Sequence, residues 1–460
     1  MCAIFALLNF GTRHSQFKRA LASINHRDIN QLKNIFLLLI SIWRTLKGIS
    51  HRIVWLKYHY LQFLLSLFSA YIVFSLFSIS GNELREQLTS IQNYGYLTES
   101  IAILVIIFSL VKGWKLLRTD IVFEKQDNIN QLPKEIDIYK KISTFDDHSI
   151  VYDDLVNRNL ESGSNPIKLN NEIFELHPLV NEMLPFFILN MPEAKIDTTD
   201  DLKVRLNSDI DNQFITSNLE VNLQKTSYFR DRLSNSLANY IVMKDGRIIF
   251  DLRPREVLTQ EGYFYSLRES KLSNQLGGSV ILFTSDSSIV LLKQGNRTSE
   301  NSGKLAPSGS GSFDYLTKKS IGKQTFQEFS KQQITRELTE ECGLDSADIH
   351  DIQICGFGRY LYRNGKPEIF CVASTKKSSS EISIPIKELD FHQKEIEIVS
   401  FRTGLSKENV ISVLDKLISK IENKENGFSN CSGVLYWNVL FAKKYIETLD
   451  DERLQKLFAI

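Results

Sequence analysis

Charged side chains vanish from the chain between Tyr60 and Ile79, where "YLQFLLSLFSAYIVFSLFSI" runs for twenty residues with only Gln62 and serines to interrupt it. About 20 apolar residues in a helix cross the hydrocarbon core of a bilayer, so this run predicts a membrane span. A second uncharged run, Ser100 to Val111, has twelve residues. It extends to about 94–114 when Tyr94, Tyr96 and Trp114 serve as interfacial anchors and Lys112 and Lys115 snorkel outward. Arg44, Lys47, Arg52 and Lys57 precede the first run, and Lys112, Lys115, Arg118 and Lys125 follow the second, whereas the loop between holds only Arg85. The positive-inside rule therefore places both termini in the cytoplasm, with a short outer hairpin. Ile35 to Trp43 is too short to cross before Arg44 and reads as an interfacial amphipathic helix.

Beyond Asp120 the period changes. "NYIVMKDGRIIFDL", "SVILFTSDSSIVLLKQG" and "ICGFGRYLYRNGKPEIFCVAS" each pair two β-rich runs around a turn, the last with Asn364-Gly365 at its reversal. Pro367 in that hairpin predicts an edge or a bulge, because proline removes a ladder donor. Helical patterns occupy Thr325 to Cys342, Lys407 to Ile421 and Gly433 to Ile446. Strands and helices mixed in this order predict an α+β sandwich. The organisation is then a basic N-terminal segment (1–59), two spans with a short loop (60–119), a linker or accessory region (120–205) and a globular domain (206–455). In the accessory region, "EIFELHPLVNEMLPFFIL" reads as a helix broken by Pro178 and Pro185.

Charge sharpens this division. The net charge is only +1, yet residues 1–120 hold 13 Lys and Arg against 5 Asp and Glu. Basic residues beside apolar runs suit an anionic membrane face, and the acidic remainder argues against binding DNA or RNA polymers. Cys2, Cys342, Cys355, Cys371 and Cys431 form no C-x-x-C pair and no even framework, which predicts reduced, buried thiols. The opening "MCAIFALL" has Ala3 where an N-terminal cysteine nucleophile would need glycine, and its apolar stretch precedes the charges, unlike a secretory signal.

The densest chemistry lies in "RELTEECGL", residues 336–344. Thr325 followed three residues later by Glu328 is a capping box, and Gly343 is a left-handed C-cap, so the acids sit at the end of one helix. Glu337, Glu340 and Glu341, spaced i, i+3 and i+4, share one face, where like charges repel and oppose the helix dipole. A divalent cation relieves this, since Mg2+ takes carboxylate oxygens and leaves positions for water and phosphate. A solvated face neutralised by Arg336 is the alternative.

The stretch resembles the Nudix box: Gly322, five residues, Glu328, seven residues, then Arg336-Glu337-Leu338-Thr339-Glu340-Glu341-Cys342-Gly343-Leu344. The resemblance implies an α/β/α sandwich in which Glu337, Glu340 and Glu341 hold Mg2+ or Mn2+. It implies catalytic roles for Glu337 and Glu341, one of them as base, with Arg336 orienting the cluster for hydrolysis of a nucleoside diphosphate derivative. One departure stands out: the glycine-rich turn "LAPSGSGS", Leu305 to Ser312, lies well ahead of Gly322, so "FDYLTKKSI" is an insertion and Glu328 serves mainly in capping.

Two spans ahead of such a domain, with "TSYF" at Thr226–Phe229, "PSGSGSFDY" at Pro307–Tyr315 and "NGKPEIF" at Asn364–Phe370, resemble the transmembrane-Nudix effectors of CBASS antiphage systems. That resemblance implies a homo-oligomer in the bacterial inner membrane whose cytoplasmic Nudix-like domain senses a cyclic di- or trinucleotide and whose spans disrupt the bilayer. Ser308, Gly309, Ser310 and Gly311 would offer backbone N–H groups to phosphates. Arg359 and Lys366 would add charge, or else be solvated surface residues. The second reading is a membrane-anchored, Mg2+-dependent Nudix hydrolase.

Overall fold

The structure is a computed structural model. It describes residues 121–127, 140–177, 180, 200–244, 246–260, 262–295, 302–316, 324–385, 388, 392–400 and 406–458. The expected spans, the interfacial segment 35–43 and Gly322 lie outside these residues. No described helix is long and apolar enough to cross a membrane.

Fifteen strands are described: β1 Ile121–Lys125, β2 Lys140–Phe145, β3 His148–Asp153, β4 Ile167–Ile173, β5 Leu202–Leu206, β6 Val221–Ser227, β7 Tyr240–Lys244, β8 Arg247–Asp251, β9 Gly277–Thr284, β10 Ser288–Gln294, β11 Leu305–Ala306, β12 Gly309–Ser312, β13 Ile349–Tyr360, β14 Lys366–Thr375 and β15 His392–Ser400. The described α-helices are α1 Asp154–Asn159, α2 Asn212–Thr216, α3 Tyr228–Asp231, α4 Phe326–Cys342, α5 Lys407–Glu422, α6 Gly433–Thr448 and α7 Asp451–Phe458. All three expected hairpins and all three expected helices form, with ends shifted by no more than two residues at the helices.

The largest sheet runs β11-β10-β9-β14-β13-β3-β2, with β12 paired to β9 and β15 to β10. Its centre is apolar on both faces, and alternation sorts the side chains. Ile281, Phe283, Ile289, Leu291, Phe370 and Val372 join a core with α5, α6 and α7. Val280, Leu282, Val290, Leu292, Ile369 and Cys371 join another with α4, α1 and α2. A strand covered by helices on both sides must be apolar at every position, as β9 and β14 nearly are. The result is a mixed α/β sandwich of three layers.

Two outcomes differ from expectation. β14 is a central strand, with β13 antiparallel on one side and β9 parallel on the other. Pro367 fits because pairing with β9 begins only at Glu368, opposite Gly277, so the missing donor lies ahead of that ladder. Second, the segment expected to be linker or accessory contributes β2 and β3 to the sheet, Gly358 to Tyr360 of β13 pairing with Ile150 to Tyr152.

Two smaller sheets complete the described residues. One is β4-β6-β5. The other is β1-β7-β8, in which the first described strand pairs with the Lys244–Arg247 hairpin.

Candidate functional site

The site grows from α4. Thr325 N–H donates to Glu328 Oε2 at 2.7 Å and Glu328 N–H donates back to Thr325 Oγ1 at 3.2 Å, which fixes the first turn. Gly343, at φ +67°, ends the helix in the left-handed region. These two ends set the rotation of the helix, so Phe326, Phe329, Ile334 and Leu338 enter the core and Glu337 and Glu341 turn toward β12.

The glycine and serine stretch facing α4 is a strand rather than an open turn. Gly309 to Ser312 pair with Gly277 to Val280 of β9. Ser308 N–H donates to Val280 O at 3.0 Å, and Ser310 N–H donates to Glu341 Oε2 at 2.9 Å. These two N–H groups are thus engaged within the protein. Gly311 has a different use: a side chain there would meet the Glu337 carboxylate, so glycine lets helix and strand approach.

Arg336 is the hub of the acidic face. Its guanidinium donates to Glu340 Oε2 at 2.6 Å and to Ser312 O at 3.1 Å, pairs with Glu337, and lies 3.3 Å from Asp314 Oδ2. Asp314 also pairs with Lys203 of β5 and its N–H donates to Gln333 Oε1 at 2.8 Å. Arg336 thus supplies the counter-charge, yet the face is not solvated, because Glu337 and Glu341 are only 5% and 8% exposed. Burial disfavours their charged forms. It pushes Glu337 up to about 7 against the pull of Arg336 and Lys203. It also lifts Glu341 well above the ordinary carboxylate range, with Glu337 adding repulsion and the Ser310 N–H opposing. Around Arg336, desolvation is outweighed by Glu337, Asp314 and Glu340, and its guanidinium is held above the ordinary range.

The expected site residues are only partly brought together. Ser308 to Gly311, Arg336, Glu337, Glu340 and Glu341 form one layer between β12 and α4. Arg359 and Lys366 lie elsewhere in the sheet and are neither solvated nor part of that layer. Arg359 donates to Gly365 O and Tyr265 O, each at 3.0 Å, and burial lowers its guanidinium to about 10. Lys366 is 2% exposed and donates to Glu368 Oε2 at 3.3 Å. Asp314, Lys203 and Gln333 were missed. Their roles come from tertiary pairing between β5, α4 and the second residue after β12, and no local pattern announces that.

Among the described residues no three His, Cys, Asp or Glu groups are gathered so as to hold a metal ion. The donor chemistry nevertheless suits a hard divalent cation: only carboxylate oxygens, on one helix face, two of them buried at a free-energy cost that a cation would remove.

No protein-family model matches the sequence, and no curated protein matches it. Among solved structures the chain aligns with the DR0079 protein of Deinococcus radiodurans, at 13% identity and TM-score 0.25, over 40% of this chain and 96% of that one. It is also similar to a MutT protein of Methanosarcina mazei Go1, at 16% identity and TM-score 0.23, over 39% of this chain and 94% of that one. Scores this low do not by themselves define a shared fold.

Proposed function

We propose that the chain is a membrane-anchored effector whose Nudix-type domain senses a cyclic di- or trinucleotide together with Mg2+ or Mn2+, as in CBASS antiphage defence. In this reading its spans lie in a bacterial inner membrane, the domain faces the cytoplasm, and binding shifts the oligomer toward a bilayer-disrupting state. The observation that carries it is the buried Glu337–Glu341 pair beneath β12, Glu337 held by Arg336 and Glu341 by the Ser310 N–H, at the second half of a Nudix box.

Glu337, Glu340 and Glu341 would hold the ion, which when bound supplies positive charge for a phosphate group. The protein's own residues do the rest. Ser310 N–H fixes the Glu341 carboxylate, and Gly311 leaves space for Glu337. Arg336 stores the acidic side chains in ion pairs until a competing cation arrives. Ligand that prefers one assembly state then shifts the population by its differential affinity.

The hydrolase reading keeps one specific support. A carboxyl group held near neutrality, as Glu337 is, suits a general base. The test uses full-length protein in detergent with Mn2+. A rise in melting temperature with cyclic di- or trinucleotides and no turnover is the expected result. Turnover of a dinucleoside pyrophosphate, lost in Glu341→Gln, would replace the sensor by the hydrolase.

A further inference from the structure

The β1-β7-β8 sheet carries an apolar row on its surface. Val122, Met243 and Ile248 are cross-strand neighbours, Val122 opposite Met243 and Met243 opposite Ile248. Val122 and Ile248 are 57% and 62% exposed. A register shift between Val242 and Met243 leaves Ile249 as the extra residue of β8, and it is exposed too. Val242 and Phe250, one step along, are buried. The exposed row is therefore confined to the hairpin end of the sheet, where Lys244 and Arg247 pair and are exposed. Alternation turns Lys244 and Arg247 to the other face of the sheet at the hairpin tip, and Glu124 and Asp251, which share the face of the row, lie two residues farther from that end.

We propose that this end of the sheet rests on the anionic surface of the membrane in which the spans are anchored, inserting Val122 and Ile248 among the headgroups beside Lys244 and Arg247. The inference rests on the membrane reading above and adds to it a contact between the globular domain and lipid. Chain length supports this occupant. From Trp114, the anchor at the inner end of the second span, to Ile121 there are seven residue-to-residue steps, which reach about 25 Å at full extension. The sheet is thus tethered close to the bilayer. Charge agrees in sum: Lys115, Arg118, Lys244 and Arg247 outnumber Asp120 and Asp245 in the same two stretches, and anionic headgroups attract basic residues next to a span. A second copy of the chain is the weaker occupant, since a row three side chains wide falls far short of the roughly 1,200 Å² that a stable interface buries.

The test places nitroxide labels, one at a time, at Ile248→Cys and at Ser109→Cys in full-length protein carrying Cys2→Ala. The protein is reconstituted in phosphatidylcholine vesicles with and without phosphatidylglycerol. Collision with oxygen (lipid-soluble) and with a water-soluble nickel chelate reports depth. The expected result is lipid contact at Ser109 in both vesicles. At Ile248 lipid contact is expected only with phosphatidylglycerol present, and lost in Lys244→Glu/Arg247→Glu. Lipid contact at Ser109 with an aqueous Ile248 in both vesicles overturns the surface contact and leaves the spans standing. An aqueous Ser109 overturns the membrane reading and the contact with it. A label at Ile248 shielded from both colliders and broadened by a neighbouring spin identifies a second copy as the occupant, and also overturns the proposal.

Discussion

Gly311 makes room for Glu337: a Cβ built at Gly311 would stand 2.3 Å from Glu337 Oε1. The obstacle is the far end of a side chain that can rotate, so Gly311→Ala should cost less than about 1 kcal/mol in stability. Ion binding should suffer far more, because the displaced carboxylate is one of the proposed ligands. Calorimetric titration with Mn2+ should show at least a tenfold loss of affinity, alongside a urea midpoint close to that of the parent.

Glu341→Gln separates charge from packing. The carboxamide oxygen can still accept from Ser310 N–H while a buried ionisable group disappears. Stability of the metal-free protein at neutral pH should hold or rise by up to about 1 kcal/mol, since the penalty of burying an ionisable carboxyl group is removed. Mn2+ uptake should be lost. A clear fall in stability would mean that Glu341 is held as a stabilising carboxylate with no need of a cation.

The C-cap of α4 predicts the largest backbone effect. At Gly343 the positive φ already disfavours other residues, and a Cβ would also lie 2.6 Å from the carbonyl oxygen of Ser383. Gly343→Ala should cost at least about 2 kcal/mol, against about 1 kcal/mol for Thr325→Ala at the other end of the helix. Urea denaturation with an unchanged m-value reads both.

Glu161 links stability to pH. Its carboxyl group is held above the ordinary 4.5, because burial outweighs the pull of Lys331 and the Ile354 N–H. The folded state therefore binds this proton more tightly than the unfolded chain does. Its contribution is fully present below 4.5 and is lost as pH rises through the raised folded value. Glu161→Gln should remove that part of the slope when denaturant midpoints are measured across the window.

Thiol chemistry checks the core. Cys342, Cys355, Cys371 and Cys431 are buried with no disulfide among them. Burial pushes every one of these thiols upward, Cys431 to about 12. In a Cys2→Ala background, iodoacetamide at neutral pH should label the native protein at least a hundredfold more slowly than the urea-unfolded chain.

Helix α4 was readable because its signals are local: a capping box, a glycine stop and a 3.6-residue period all lie within residues 325–343. The hairpins were readable for the same reason. The sheet order was not, since nothing near Pro367 tells that β14 runs parallel to β9 and is covered on both faces. The roles of Lys203 and Asp314 around Arg336 were hidden likewise, because contacts between distant segments leave no periodic trace. The stretch Ser308–Gly311 read as a phosphate-cradling turn, for glycines and serines give the same composition to a turn and to a strand pressed against a helix. Arg359 and Lys366 read as cations for a nucleotide or else for solvent, although backbone carbonyls hold a half-buried Arg359 and Glu368 pairs with Lys366 in the interior.

The pairing of Gly278 with Ile369, and of Val151 with Arg359, sets an order of events during synthesis. Neither ladder can close until the ribosome has delivered most of the polypeptide, and closing such long loops is slow. The uncharged N-terminal runs emerge much earlier. On the reading proposed above, insertion into lipid would precede maturation of the domain, and the newborn protein would be anchored before it could recognise anything.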